Sequence, residues 1–423
     1  MITADLVIFN AGELVRVSDD ASTLPKRGDA LGDLCIVPDG ALAAADGRIV
    51  WVGSSSDVLS HVQLMRSGTE IDARACVVTP GLVDAHTHPV FAAPRHMEFA
   101  MRVAGMSYQQ IAAEGGGIAN SVAKTRVATE DDLYQSAVAV ADRMLDFGTT
   151  TAEAKSGYGL TLADELKMLR VIRRVNQSHV IDWIPTAMPA HEIPVEFKSS
   201  PDDYVDLMCR EILPEIAREK LAEFNDVFFE AGVFNRDQSI RIQTRAAELG
   251  FGLKFHVDEL SDGGGAQLAA KMNAVSADHL VFISDDGIAA LATASTVAVM
   301  LPGTCYFLDL PRKPPVRKMI EAGVAIGLAT DCNPGSNMTE SMQLAMNQAC
   351  VLYKMTPSEA LVAATHNSAC ALGRSAQIGS LAPGRQCDVV IWDAHDHREL
   401  PYHYGVNLAK VAIKNGKVVG GTV

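Results

Sequence analysis

Two histidines separated by one residue stand at the end of an apolar run, His86 and His88 in Asp-Ala-His-Thr-His. At the period of two residues that governs a β-strand, both imidazoles lie on the same face and can bind one metal ion. His256, His279 and Asp331 also stand where apolar runs stop. Imidazoles with a carboxylate suit Zn²⁺, Fe²⁺, Mn²⁺ or Ni²⁺ rather than Mg²⁺ or Ca²⁺. The spacing therefore predicts a transition-metal centre.

The chemistry of such a centre is hydrolysis. A bound divalent ion lowers the pKa of a water ligand toward about 7, which provides a nucleophile at neutral pH. Glu259, in His-Val-Asp-Glu, and Asp331 carry carboxylates that can take the proton of this water. His279 can orient the water or stabilise the developing negative charge. Both carboxylates remain candidates for the general base, because coupled groups near a metal are not assigned by pattern.

The elements that must position these residues alternate in type. Eight apolar runs are separated by helical stretches, and the runs are residues 77–86, 149–155, 180–188, 226–231, 253–259, 274–280, 296–302 and 324–331. Eight such units over about 290 residues predict an α/β fold, the (β/α)₈ TIM barrel, in which strand ends converge on one face. A doubly wound open sheet shows the same alternation, but no Gly-x-Gly-x-x-Gly turn opens the first unit.

The two ends of the chain have a different pattern. Short β-branched runs flank tight turns, Asp-Gly at 46–47 and Asn-Gly at 415–416, as in β-hairpins. We expect a small all-β unit built from both termini. The predicted domains are 1–78 and 375–423 for this unit and 79–374 for the barrel.

Composition excludes several classes of partner. Lys and Arg number 36 against 51 Asp and Glu, so the net charge is −15. This balance opposes binding to nucleic acid or to an anionic membrane surface. No apolar stretch approaches the roughly 18 residues of a membrane helix, and no secretory signal opens the chain. The eight cysteines are scattered, which favours reduced thiols and a cytoplasmic location.

Residues 80–88, Pro-Gly-Leu-Val-Asp-Ala-His-Thr-His, are similar to the opening motif of the amidohydrolase superfamily, and the chain resembles a member over essentially its whole length. The resemblance implies a metal-dependent barrel flanked by a small β-sandwich made from both termini. Several members bind two metals through a carbamylated lysine on barrel strand four. Here no lysine lies between Lys220 and Lys254. The resemblance therefore implies one divalent metal per chain, Zn or Fe.

Within that superfamily the chain resembles the imidazolonepropionase family. The matching stretches are 86–95, 114–118, 155–160, 165–173, 256–259, 276–280, 331–336 and 400–407. This resemblance implies hydrolysis of 4-imidazolone-5-propanoate to N-formimidoyl-L-glutamate in histidine degradation, and a homodimer. It implies that the metal ligands are His86, His88, His256 and Asp331. It implies substrate contacts at Arg95, Tyr158, His191, Glu259, Asn333, Gly335 and Ser336.

Two other functions remain open at this point. His256 and Glu259, in His-x-x-Glu, would equally serve a mononuclear deaminase or another amidohydrolase acting on a heterocyclic base. Arg95 favours the cyclic-amide substrate, since its planar guanidinium pairs with a carboxylate that a neutral base lacks. A barrel that has lost catalysis and only binds a partner is the other alternative. Glycines 115–117 are consistent with a mobile loop over the site or with a plain connector.

Overall fold

The computed structural model describes residues 1–19, 22–106, 110–111 and 114–421. Within these residues, one eight-stranded sheet combines strands from both ends of the chain. Its strands are β1 (Ile2–Val15), β2 (Ile36–Ala45), β3 (Arg48–Ser54), β4 (Val62–Asp72), β5 (Val77–Pro80), β14 (Val389–Trp392), β15 (Ala409–Lys414) and β16 (Lys417–Gly421). The order is β16-β15-β14-β5-β1-β2-β3, and β4 pairs with β1. The expected small β unit from both termini is confirmed.

The second sheet is the parallel barrel. Its strands are β6 (Leu82–Asp84), β7 (Thr149–Lys155), β8 (Asp182–Ala190), β9 (Phe224–Phe229), β10 (Gly252–Val257), β11 (Ser276–His279), β12 (Val297–Met300) and β13 (Ile326–Leu328). Neighbours in sequence are neighbours in space from β6 to β13. A parallel bridge joins Thr87 to Cys332, and the amide of Asp331 donates to the carbonyl of His86 over 3.0 Å. These contacts close the (β/α)₈ barrel, and that prediction is confirmed.

Helices surround the barrel and cover its strands. The α-helices of the described chain are Val58–His61, His96–Val103, Ile118–Val127, Glu130–Asp146, Leu162–Ser178, Pro201–Leu207, Leu213–Glu219, Arg236–Glu248, Gly265–Lys271, Asp285–Thr293, Pro302–Phe307, Val316–Glu321, Met342–Tyr353, Pro357–Val362, Ser368–Ala371 and Glu399–Tyr402. The helix Glu130–Asp146 begins with a capping box between Thr129 and Asp132, which satisfies its first amides. The main core lies between the helices and the barrel. None of the described helices has both the length and the apolar character needed to cross a bilayer.

The first apolar run, 77–86, is two strands rather than one. Val77–Pro80 pairs with β1 and β14, whereas Leu82–Asp84 opens the barrel beside β7. The change occurs at Gly81, whose amide donates to the carbonyl of Asp388 while the next amide donates to that of Gly148. A Cβ on Gly81 would lie 2.2 Å from Oγ1 of Thr150, so only glycine fits this crossing. The interpretation of the whole run as one barrel strand is therefore wrong.

Candidate metal centre and active site

Four of the predicted ligands meet at the carboxyl ends of three barrel strands. His86 and His88 follow β6, His256 lies in β10, and Asp331 follows β13. Each is at least 97 % buried. The ring of His86 lies 4.4 Å from that of His256 and 5.3 Å from that of His88, measured between centroids. The Nε2 atoms of His86 and His88 lie 3.6 and 4.0 Å from Oδ1 of Asp331.

The state of His86 fits a metal ligand. Its Nδ1 lies 2.6 Å from Oδ2 of Asp278, to which it donates, and its Nε2 is buried with no hydrogen-bond partner in the described chain. Burial, helped by the nearby charge of Lys155, lowers the pKa of His86 well below its ordinary value. A neutral imidazole with a free lone pair on Nε2 is the form that binds a transition metal.

His256 also faces a buried carboxylate, within ion-pair distance but without the hydrogen-bond geometry of the His86 pair. Its Nδ1 lies 2.9 Å from Oδ2 of Asp226, whose other oxygen accepts the His256 amide over 3.2 Å. Burial opposes a charge on this ring, but Asp226 outweighs that effect and raises the pKa of His256. Carboxylates of this kind orient a ligating histidine and increase its basicity. The donor set therefore fits a divalent transition metal. Asp278 and Asp226 lie against Nδ1 of His86 and of His256, where they can orient the two imidazole rings.

Asp331 sits in an unusual backbone conformation and in a dense set of hydrogen bonds. Its φ of +57° is in the left-handed region, which most non-glycine residues avoid but aspartate adopts more readily. Its Oδ2 accepts from Thr304 at 2.5 Å and from Ser336 at 3.2 Å, and its Oδ1 accepts from Asn333 at 3.0 Å. Burial raises the pKa of Asp331 to about 6.

Glu259 and His279, the residues predicted to do acid–base work, lie side by side next to these candidate ligands. The Nδ1 atom of His279 lies 3.6 Å from Oε1 of Glu259. Burial raises the pKa of Glu259 to about 8, and it lowers the pKa of His279 well below the ordinary value. The backbone of His279 also has a positive φ, +75°. A carboxyl with a raised pKa beside a neutral imidazole can accept and release a proton near neutral pH.

A cavity of about 860 Å³ opens above this centre. All but one of the predicted site residues line it, namely His88, Arg95, Tyr158, His191, His256, Glu259, His279, Asp331, Asn333, Gly335 and Ser336. His86 lies beneath the cavity and is fully buried. The structure therefore brings the residues expected to bind metal and those expected to bind substrate to one cavity. Its volume is in the range of small-molecule sites.

Arg95 lies against the turn that follows β13. The guanidinium packs so closely on Gly335 that a Cβ there would lie 1.4 Å from Nη2 of Arg95. Its Nη1 lies 3.6 Å from a carboxylate oxygen of Glu98, and its Nε is buried without a hydrogen-bond partner in the described chain. The side chain is 13 % exposed. Arg95 is thus a largely desolvated cation at the cavity wall, where an anionic group would bind favourably.

The Asn-Pro-Gly-Ser turn is held by its own side chains. Oδ1 of Asn333 accepts from the amides of Gly335 and Ser336, each over 2.8 Å. Its Nδ2 donates to the Asp331 carbonyl over 2.8 Å. The two amides therefore have partners within the turn, and their first effect is to shape the loop that carries Asp331.

Two aromatic rings also line the cavity, those of Tyr158 and His191. Nδ1 of His191 donates to the carbonyl of Gly157 over 3.1 Å, and its ring stacks on His88 at 4.7 Å. Burial, with the charge of His256, lowers the pKa of His191 to about 3. Tyr158 lies 5.4 Å from His191, and burial raises the pKa of its hydroxyl. Both side chains are therefore neutral groups that can offer hydrogen bonds without a charge.

Sequence reasoning missed four residues of this region. Asp226 and Asp278, which contact the histidines, lie inside apolar strand runs, and Lys155 contacts both aspartates from β7. An acid within an otherwise buried strand was the available signal, but only the register between strands shows that it meets a histidine. Arg102, which also lines the cavity, packs 4.8 Å from the ring of Phe307. No motif distinguishes it from a surface arginine.

Comparison with known proteins agrees with this arrangement. The model of the amidohydrolase family matches residues 77–423. A protein of Symbiobacterium thermophilum named imidazolonepropionase is 48% identical over 420 residues, which cover 99% of this chain and 98% of the relative. Another of that name, from Brevibacillus brevis, is 45% identical over 419 residues, 99% of this chain and 98% of the relative.

Solved structures share the fold at low identity. An adenosine deaminase from Xanthomonas campestris with bound zinc superposes with a TM-score of 0.73 and 20% identity, covering 99% of this chain and 93% of that one. The guanine deaminase of E. coli gives 0.68 and 16%, covering 98% and 99%. These two likenesses concern the fold alone. The family model and the two full-length relatives decide the family. The chain belongs to the amidohydrolase family and, within it, to the imidazolonepropionases.

Proposed function

We propose that this chain is a metal-dependent cyclic-amide hydrolase that opens 4-imidazolone-5-propanoate with water to give N-formimidoyl-L-glutamate, a step of histidine degradation. The observation that carries the proposal is a buried histidine–aspartate centre that shares one cavity with a desolvated arginine. Two relatives that cover nearly the whole chain are named for this activity. The substrate is a small molecule.

The proposed metal ligands are His86, His88, His256 and Asp331. The family and the donor set support a metal cofactor, and we propose one Zn or Fe ion per chain. No lysine lies in β9, the fourth barrel strand, so this strand offers no lysine to hold a second ion. A divalent ion held by these residues would supply an activated water molecule and a Lewis acid for the ring carbonyl.

Glu259 is the proposed base for the attacking water. Burial raises the pKa of Glu259 to about 8, so its carboxyl can hold a proton near neutral pH and release it to the ring nitrogen, while a cation held nearby would favour the ionised form that accepts the proton. The water oxygen bonds to the ring carbonyl carbon, the bond from that carbon to the ring nitrogen breaks, and the nitrogen receives the proton. Asp331 assists as a second carboxylate, and His279, 3.6 Å from Glu259, orients the water or stabilises the developing oxyanion.

Arg95 is the proposed partner of the propanoate tail. A guanidinium binds a carboxylate through two parallel hydrogen bonds, and the low exposure of Arg95 strengthens such a pair. Tyr158 and His191, which also line the cavity, are proposed to hold the imidazolone ring of the substrate. Asn333, Gly335 and Ser336 are proposed to contact the other polar end of the substrate, next to Asp331.

The test is direct turnover. Metal-replete protein is mixed with freshly prepared 4-imidazolone-5-propanoate, and formation of N-formimidoyl-L-glutamate is followed by mass spectrometry. We expect turnover that stops when a chelator removes the metal. Absence of product from protein with a full complement of metal would overturn the proposal.

Two alternatives give different results in simple assays. A deaminase would release ammonia from a heterocyclic base, and its substrate affinity would not depend on Arg95. A barrel that only binds a partner would hold metal well below one ion per chain, which elemental analysis measures. The retained ligand set and the position of Arg95 support the hydrolase.

We further propose that the enzyme is a cytoplasmic homodimer. All eight cysteines are free thiols, which agrees with a reducing compartment. The exposed apolar side chains of the described surface include Met97 and Val103 on one helix and Tyr402 and Tyr404 near the carboxyl end. Light scattering after size-exclusion chromatography distinguishes a dimer near twice 45.1 kDa from a monomer.

A further inference from the structure

Beneath the candidate metal centre, a cluster of five charged side chains fills the barrel interior. Three are carboxylates and two are ammonium groups, and each has no exposed area; they are Glu153, Lys155, Asp226, Lys254 and Asp278. They come from β7, β9, β10 and β11. Charges removed from water in this way are tolerated only when they are paired and hydrogen-bonded. The proposed reaction uses none of them directly.

Lys155 stands at the centre of this cluster. Its Nζ lies 2.6 Å from Oδ2 of Asp226, 2.8 Å from Oε2 of Glu153 and 3.8 Å from Oδ2 of Asp278. The same Oδ2 atoms of Asp226 and Asp278 face Nδ1 of His256 at 2.9 Å and Nδ1 of His86 at 2.6 Å. One ammonium therefore contacts both carboxylates that orient the candidate ligands.

Lys254 has the same chemistry without this connection. It is equally buried, and its Nζ lies 2.7 Å from Oε1 of Glu153 and 3.3 Å from the carbonyl of Ala85. Within the described residues, the hydrogen bonds and the ion pair of the Lys254 ammonium go to Glu153 and to the carbonyl of Ala85. The cluster thus contains two buried lysines that share Glu153, only one of which contacts the histidine-orienting aspartates.

We propose that Lys155 is a positioning residue of the metal centre, whose ammonium fixes Asp226 and Asp278 so that His256 and His86 direct Nε2 to the ion. This inference rests on the ligand set given under the proposed function. Without the ammonium, Asp226 and Asp278 lose a group that contacts both, and the repulsion between like charges in a region closed to water would push their carboxylates apart. A carboxylate that has rotated away no longer faces Nδ1, so the imidazole loses its orientation.

The first experiment compares two single variants. Metal affinity of the wild type, Lys155→Met and Lys254→Met is measured by titrating Zn²⁺ into metal-free protein against a chromophoric chelator. We expect Lys155→Met to bind Zn²⁺ about 10–100-fold more weakly, the usual effect of losing a group that supports a ligand. Lys254→Met should stay within about threefold of the wild type, a difference below one kcal/mol. Equal losses in both variants would overturn the proposal.

A double-mutant cycle tests the route of the effect. If Lys155 acts through the aspartates, the loss of Zn²⁺ affinity in Lys155→Met/Asp226→Asn should be smaller than the sum of the two single losses, because the part that passes through Asp226 is already absent. Losses that simply add would mean independent action and would contradict the inference. The combined variant removes a charge together with its partner, so it remains informative where Lys155→Met alone does not fold.

Folding and function are separated in the same samples. Circular dichroism and the thermal midpoint of the metal-free proteins show whether a loss of affinity is only a loss of structure. A Lys155→Met variant with an unchanged metal-free midpoint and weaker Zn²⁺ binding supports positioning. If the wild type binds Zn²⁺ but does not hydrolyse imidazolonepropanoate, the proposed substrate fails while the role of Lys155 stands.

Discussion

Among the individual side chains, Glu259 has the protonation behaviour best suited to moving a proton. It lies next to His279 and its pKa is raised to about 8 by burial. We predict that Glu259→Gln lowers kcat by a factor of about 10²–10⁴, the usual contribution of a general base. Metal content, measured by elemental analysis, should not change. A variant that keeps its kcat would assign the base to Asp331.

Arg95 should act on binding rather than on the chemical step. A hydrogen bond to a charged group contributes about 1.5–3 kcal/mol, so Arg95→Ala should raise KM about 10–100-fold with a smaller change in kcat. Arg102→Ala, which removes another cavity-lining arginine, is the matched control and should change KM less. Steady-state kinetics with imidazolonepropanoate separate the two parameters. An unchanged KM in Arg95→Ala would favour a substrate without a carboxylate.

Among the elements, the turn after β13 links two parts of the site. Gly335 is in contact with the guanidinium of Arg95, which a Cβ would approach to 1.4 Å. We predict that Gly335→Ala displaces Arg95 and raises KM in the same direction as Arg95→Ala, while the thermal midpoint changes little. Gly32→Ala, where the nearest atom would lie 4.0 Å from the added Cβ, controls for the addition of a methyl group away from the site. Normal KM in Gly335→Ala would mean that Arg95 tolerates the displacement.

The ion pair between Glu359 and Arg317 predicts that the free energy of unfolding depends on pH. Glu359 pairs with Arg317 through two hydrogen bonds of 2.9 and 2.5 Å and accepts the Thr356 amide over 2.7 Å. Burial alone would raise the pKa of Glu359, but these hydrogen bonds outweigh it and lower the pKa below its ordinary value. A lowered folded-state pKa stabilises the fold above the unfolded value near 4.5, and this stabilisation disappears as the pH falls through the folded value.

Glu359→Gln should therefore lower the free energy of unfolding by about 1 kcal/mol at pH 7. The difference from the wild type should shrink toward zero well below pH 4, where the wild-type carboxyl is also uncharged. Urea unfolding at several pH values measures it. Arg398→Gln, on the exposed pair with Asp396, is a control that should leave stability nearly unchanged at every pH. If the difference in unfolding free energy between Glu359→Gln and the wild type did not change with pH, the charge of Glu359 would not be the cause of that difference.

The elements also show what sequence alone can and cannot predict. The run 149–155 coincides with β7. Its threonines favour a strand, and Gly148 and Ser156 mark the limits of the run on either side. The run 77–86 was wrongly interpreted as one strand, because two apolar strands joined by a single glycine show the hydrophobic pattern of one strand. Histidines at strand ends were found because a barrel gathers all strand ends on one face. Asp226 and Asp278 were missed because their meeting depends on register between strands.

For the whole molecule, the proposed ion joins distant parts of the barrel. Its ligands follow β6 and β13, the first and last strands, and lie in β10. Removal of the metal should therefore abolish activity and also lower the thermal midpoint. At a free ion concentration 100 times the Kd, binding stabilises the fold by about 2.7 kcal/mol. Scanning calorimetry with and without chelator measures the shift, and Asp331→Asn should show a smaller one. An equal shift in that variant would point to metal bound elsewhere.

The net charge of −15 and the cavity together determine how an anion is captured. The overall field repels a propanoate at long range, so attraction must come from the desolvated Arg95 and the bound ion at short range. Raising the ionic strength screens the repulsion, and kcat/KM should then stay constant or rise slightly. A fall of kcat/KM with salt would indicate steering by a local positive field that extends beyond the cavity.

The sheet made from both termini has a consequence for synthesis on the ribosome. Strand β5 pairs with β14, about 310 residues later in the chain. At typical elongation rates the first strands wait for their partners on the order of tens of seconds after they leave the exit tunnel. During that time the edge of β5 has unsatisfied backbone groups that invite pairing with other nascent chains. Newly made chains should therefore depend on chaperones until translation ends, even though the finished protein has this edge covered.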